Sequence, residues 1–128
     1  MRALLDTHAF LWWILDDPLL STRARNFITD SENEIYFSVA SAWEIAIKAQ
    51  LGRLILPDPP NQFIVSQVHD NNFQILPIQI DHTLRLYDLP LYQFDPFDRL
   101  MLAQCQLESL SFITADAQIS RYEVPIIW

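Results

Sequence analysis

Glycine occurs once in 128 residues, at Gly52. That scarcity excludes several function classes. A dinucleotide-binding fingerprint, a phosphate-cradling loop and a glycine-flanked serine elbow each need at least two glycines at fixed spacing. Cysteine also occurs once, so no internal disulfide can form, and Cys105 reads as a small buried apolar filler. His8, His69 and His82 have no Cys or His close by, which argues against a zinc site. Long hydrophobic runs are missing too. The longest covers residues 9–15, far too short to span a bilayer. Basic residues are few, with 8 Lys+Arg against 16 Asp+Glu and a formal net charge of -8. This argues against nonspecific nucleic-acid binding through a broad basic face. It remains compatible with a nucleic-acid enzyme whose metal ions bring positive charge to the site, and it favours a basic protein partner.

What is present describes a globular chain, 51% apolar and 19% charged, read as one domain over residues 1–128. Asp6 interrupts the start before a signal-peptide core could form, so the expectation is a cytoplasmic protein with no membrane part. Strands are expected at residues 3–5, 34–39, 74–77, 111–114 and 124–127. Helices are expected at 7–15, from Ser21 to about 29, 41–51 with Gly52 as its stop, 61–69, 81–87, 96–107 and, as a turn, 117–122. Strands alternating with helices imply a mainly parallel sheet of four to five strands covered on both faces.

Four acids lie at the edges of apolar runs. Asp6 follows Ala3-Leu4-Leu5, and Glu44 sits inside Ala42-Trp43-Glu44-Ile45-Ala46-Ile47. Asp98 precedes Leu100-Met101-Leu102-Ala103, and Asp116 follows Phe112-Ile113-Thr114-Ala115. A carboxylate beside a core is unfavourable unless it is paired or binds a cation. Ligands in parallel sheets bind beyond the carboxyl ends of strands. Asp6 and Asp116 fall just past predicted strands, and Glu44 falls in the first turn or so of the helix after the second. At least three acids are therefore expected on one rim. Two carboxylates about 4 Å apart repel by roughly 4 kcal/mol at an effective dielectric near 20. A divalent cation removes that repulsion, so a converging set is an all-oxygen pocket for Mg²⁺ or Mn²⁺. Carboxylates and Mg²⁺ without a nucleophile motif point to phosphodiester hydrolysis.

Plainer readings compete residue by residue. Asp6 and Asp116 are also good helix caps, and Glu44 is four residues from Lys48. Asp95 and Asp98 flank Pro96-Phe97, so one caps a helix while the other takes its third position, with Arg99 as a salt-bridge partner. Phe10, Trp12 and Trp13 read as core, with a dimer or partner-protein surface as the sharper alternative. His8 reads as a hydrogen-bonded structural residue. Arg23, Arg25, Lys48, Arg53 and Arg99 are the cations available to a substrate phosphate, though each alone reads as solvated charge.

Taken together, Leu4-Leu5-Asp6-Thr7-His8-Ala9-Phe10-Leu11-Trp12, the stretch from Ser38 to Lys48, Asp95-Pro96-Phe97-Asp98-Arg99-Leu100-Met101-Leu102-Ala103-Gln104 and Thr114-Ala115-Asp116 resemble a PIN-domain ribonuclease. The likeness is to the VapC-type toxins of bacterial type II toxin–antitoxin pairs and covers essentially the whole chain. It implies a three-layer α/β/α sandwich. It implies Asp6 and Asp98 as principal Mg²⁺ ligands, Glu44 and Asp116 completing the acidic pocket, and Thr114 supporting it, with Asp95 a second-rank candidate. It further implies RNA cleavage by a metal-activated water, a homodimer, and a cognate antitoxin that blocks the pocket. One departure is Tyr92-Gln93-Phe94, where close relatives carry basic or His residues. A haloacid-dehalogenase-like phosphatase needs a second Asp where His8 stands. A phosphoacceptor receiver domain needs its acidic pair earlier than Asp16-Asp17. The remaining alternative is an inactive PIN-like module that binds RNA or protein.

Overall fold

The computed structural model describes residues 1–128. Its central strand, β1 (Arg2–Leu5), buries Ala3 and Leu5 in one cluster and Leu4 in another. That is the period-2 alternation of a strand covered on both faces. The neighbours repeat it. In β2 (Glu34–Ser38), Ile35 and Phe37 join the first cluster while Tyr36 packs on the second. β3 (Gln74–Leu76) follows. Ile113 and Phe112 divide the same way in β4 (Ser111–Ile113), as do Ile127 and Ile126 in β5 (Ile126–Ile127). All pairings are parallel, in the order β3-β2-β1-β4-β5, with Leu5 opposite both Phe37 and Ile113.

Helices cover both faces. On the first lie α1 (Thr7–Ile14), α2 (Thr22–Thr29) and, further along the chain, Pro60–Asp70. The ring of Phe10 is fully buried there, 4.5 Å from that of Phe37 and 6.3 Å from that of Phe73. Between these elements α3 (Val39–Gln50) gives Ala40 to one cluster and Ile45 to the other. The Pro60–Asp70 helix is α4, and α5 (Ile80–Arg85) and α6 (Pro96–Glu108) follow on the second face. The three-layer α/β/α sandwich around a parallel sheet is therefore as the sequence implies. No helix is long and apolar enough to cross a membrane.

The differences have local causes. α3 begins at Val39, before the expected Ser41, because the hydroxyl of Ser38 accepts from the N–H of Ala40 at 3.0 Å and caps the helix there. Glu44 consequently sits in the second turn. Gly52 takes φ 72° just after α3, the left-handed conformation that glycine adopts without penalty. The last strand shrinks to two residues because Pro125 has no N–H for the ladder, though its carbonyl accepts from Phe112 at 2.8 Å. Cys105 is buried, as expected, and burial pushes its thiol well up. His82 is fully buried. It accepts from the N–H of Gln79 at Nδ1 and donates from Nε2 to Glu108, both at 2.9 Å.

Arg99 corrects a sequence expectation. It neither pairs with Asp95 or Asp98 nor reaches a surface where RNA could bind. It is buried, and its terminal nitrogens donate to the carbonyls of Leu86, Leu89, Pro90 and Gln93 at 3.0–3.3 Å. The loop before α6 turns these carbonyls inward, and only a guanidinium has enough donors in one plane to satisfy them. Tyr122 completes the clamp. Its hydroxyl accepts from the N–H groups of Tyr92 and Gln93 and donates to Pro90. Arg99→Leu leaves several buried carbonyls unpaired and should cost about 3 kcal/mol of stability in urea denaturation. A loss under about 1 kcal/mol would show that the loop satisfies itself without the guanidinium.

Candidate metal centre

β1 and β4 are neighbours at the middle of the sheet, and successive strands run outward from them in opposite directions. This is a topological switch point, where loops part and a crevice opens past the strand ends. Asp6 comes directly after β1, and Asp116 comes shortly after β4. α6 runs back across the sheet to reach β4, so its first turn, which carries Asp98, lies at the same edge. A cleft of about 310 Å³ opens there, lined by Asp6, His8, Trp12, Asp98, Ala115 and Asp116.

The two buried acids of the set are fixed by short local bonds. Asp6, only 6% exposed, caps α1 by accepting from the N–H of Ala9 at 2.6 Å. Burial pushes its carboxyl up, and Glu44 adds to the rise. Bonds from the Thr114 hydroxyl and the Ala9 N–H, with His8 nearby, oppose it. Glu44 is buried on α3 beneath the cleft and is not among the side chains lining it. Its Oε2 accepts from Lys48 at 2.6 Å, while its Oε1 is buried without any hydrogen-bond partner. The i,i+4 pair anticipated from sequence is therefore real, but it satisfies only half of the carboxylate.

Asp98 faces the cleft, and Asp95 does not. Asp95 caps α6, accepting from the N–H groups of Phe97 at 2.9 Å and Asp98 at 3.0 Å. That settles which acid points inward. The carboxyl of Asp98 is pushed up to about 8, first by burial and then by Asp95, Asp6, Glu44 and Asp116. Asp116 accepts from the N–H of Gln118 at 2.9 Å and donates its own N–H to Thr114 at 3.1 Å. Thr114 thus lies between the two acids, lowering the carboxyl of Asp6 and accepting from the backbone N–H of Asp116.

Two neighbours were missed or misread in the sequence. The side-chain amide of Gln93 donates to Asp116, and its carbonyl accepts from Phe94 at 2.8 Å and Asp95 at 2.9 Å. A glutamine in a loop carries no pattern that announces such a bridge. His8 is not a structural hydrogen-bonded residue. It is exposed, its ring lies 5.7 Å from that of Trp12, and it lines the cleft.

No three His, Cys, Asp or Glu side chains stand close enough to form a ready-made metal cage. The donor set nonetheless fits a hard divalent cation. Its donors are all carboxylate oxygens, and one of them is buried and unpartnered. Mg²⁺ retains several waters and takes only one or two carboxylates directly, so an open cleft suits it better than a closed cage.

The family described as PIN domain matches residues 3–125. The chain belongs to the PIN-domain family. Ribonuclease VapC16 from Mycobacterium tuberculosis is 36% identical to this PIN domain over 66 residues, 52% of this chain and 44% of that protein. The match thus spans less than half the length of that curated relative. Among solved structures, VapBC2 from Rickettsia felis bound to a promoter DNA fragment superposes with a TM-score of 0.71 at 13% identity, covering 98% of this chain and 97% of that one. FitAcB from Neisseria gonorrhoeae gives 0.67 at 18%, covering 98% and 96%. A toxin–antitoxin complex from Klebsiella pneumoniae gives 0.66 at 17%, with the same coverage. At these identities the superpositions establish a shared fold.

The raised Asp98 carboxyl has a consequence for stability. In the unfolded chain the group titrates near 3.9, whereas in the folded chain it titrates at about 8. The folded state therefore holds the extra proton between those values, and its stability declines as pH rises through them. In metal-free buffer this contribution lowers Tm between about pH 5 and pH 8, and Asp98→Asn removes it. Mg²⁺ taken up by the cleft would favour the ionised form and would raise Tm more at the upper pH than at the lower. A wild-type slope equal to that of Asp98→Asn, measured by calorimetry, would contradict the crowding.

Proposed function

We propose that this PIN domain, residues 1–128 as a single domain, is a divalent-cation-dependent endoribonuclease and the toxin of a type II toxin–antitoxin pair. The observation that carries the proposal is the meeting of Asp6, Asp98 and Asp116 on one cleft at the switch point, with Glu44 beneath. Asp6 and Asp98 are the proposed principal ligands of Mg²⁺, with Mn²⁺ as a substitute, and Glu44 and Asp116 complete the set. The cation supplies charge neutralisation at the scissile phosphate and acidity to an attacking water. The chain's own residues do the rest. Thr114 and the Ala9 N–H hold Asp6 in one orientation, and Gln93 and Thr114 hold Asp116. Asp95 fixes the first turn of α6 and so the placement of Asp98.

Ribonuclease VapC16 and the toxin–antitoxin complexes among the structural relatives support the activity and the partner class. The proposal therefore includes a cognate antitoxin, an RNA substrate, a homodimer and a cytoplasmic location. The inactive-module reading has no observation in its favour, since all four acids are present.

Inducible expression in a bacterial host tests this, with new RNA 5′ ends mapped for the wild type and Asp98→Asn. Growth arrest with a few sharp new ends is expected for the wild type, falling by about a hundredfold or more in the variant. Folded, antitoxin-free wild type that yields no new ends, or a variant that cuts as well, would defeat the assignment.

A further inference from the structure

The acids lining the cleft are not equally available to a cation. Nothing donates to the carboxylate of Asp98, whose surroundings are burial and other acids. Asp116 is the opposite case, bonded at both oxygens. Its Oδ1 accepts from the N–H of Gln118 at 2.9 Å, and its Oδ2 accepts from the side-chain amide of Gln93. Gln93 is itself fixed at every polar atom. Its N–H donates to the hydroxyl of Tyr122 at 2.9 Å, and its main-chain carbonyl accepts from Arg99 at 3.1 Å. Its side-chain carbonyl accepts from the N–H groups of Phe94 at 2.8 Å and Asp95 at 2.9 Å. With that oxygen committed, the amide nitrogen is the atom left to face Asp116, so the direction of the bridge is set by the network. Gln93 does not line the cleft.

We propose that Gln93 is a positioning residue that holds Asp116 away from direct contact with the cation. The proposal rests on the nuclease reading and assigns this acid an indirect role within it. Two bonds to different loop segments fix the direction of the Asp116 carboxylate, and a hydrogen bond to a charged acceptor is among the stronger kinds. Mg²⁺ keeps several waters, so a carboxylate held in this way meets it through one of them. Because the holding group is an amide and carries no charge, it orients Asp116 without reducing the negative charge of the cleft. Partners of this kind, one step removed from a metal, tune its affinity.

The test is the affinity of the full, antitoxin-free chain for Mn²⁺, read from the electron paramagnetic resonance signal of the free ion. The forms compared are wild type, Gln93→Met, Asp116→Asn and the double variant. Gln93→Met should bind Mn²⁺ about fivefold tighter than wild type, because Asp116 is released to bind directly. In the Asp116→Asn background the same change should move the affinity by less than about twofold. A purely structural role for Gln93 gives the opposite sign. Losing the acceptor for Phe94 and Asp95 would loosen the first turn of α6, and affinity would fall in both backgrounds. If Gln93→Met does not fold, Gln93→Asn replaces it. A shorter amide still accepts from the N–H two residues on and falls short of Asp116, and the same tightening is expected. Affinity that falls, stays equal to wild type or rises alike in both backgrounds overturns the role of Gln93 and leaves the nuclease reading standing. Wild type that binds no Mn²⁺ overturns both.

Discussion

Mutual repulsion among carboxylates at the switch point is the constraint around which the rest of this chain is arranged. Asp98 is raised to about 8 by burial and by four other acids, Asp95, Asp6, Glu44 and Asp116. One oxygen of Glu44 is buried with nothing to bind. Without a cation the crowding is relieved by the proton that Asp98 keeps up to about pH 8. The unfavourable charge density is the property on which the proposed cation site rests.

Holding the acids together needs a stiff frame, and the sequence supplies it in polar side chains near the cleft. Thr114 accepts from the backbone N–H of Asp116 and lowers the carboxyl of Asp6. The hydroxyl of Thr7 lies 2.9 Å from that of Ser41, which in turn donates to the sulfur of Met101, linking α1, α3 and α6. Ser38 donates to the fully buried Gln104, whose amide donates to the carbonyl of Pro77. On the other side Arg99 and Tyr122 lock the loop that leads into α6, and Gln93 carries that order across to Asp116. Each link spans two elements, so the cleft's shape depends on the packing of the whole sandwich and not on any one loop.

Much of this was legible because it is written in periodicity. The apolar runs around Leu4, Phe37 and Phe112 place strands, and the acids just beyond them fall on one rim. Ser21 and Asp95 announce helix starts by their chemistry. What was illegible depends on contacts between residues distant in sequence. Arg99 beside two acids looks like an ion-pair partner, and only the inward carbonyls of the preceding loop explain its burial. His8 turns outward because α1 presents Ala9 and Phe10 to the core. Gln93 resembles any loop glutamine until the fold brings Asp116 to it. The early start of α3 was hidden because Ser38 and Ser41 are both good caps, and strand pairing through Ser38 decided between them.

The most direct test of the central claim is calorimetric titration of the purified, antitoxin-free chain with Mn²⁺ and Mg²⁺, near pH 7, in two buffers of different ionisation enthalpy. Saturable binding with proton release is expected, because Asp98 must ionise to take part. Asp98→Asn should lose that release, and Glu44→Gln should bind more weakly. Absence of saturable binding by the wild type, or binding without proton release that both variants retain, would contradict the claim.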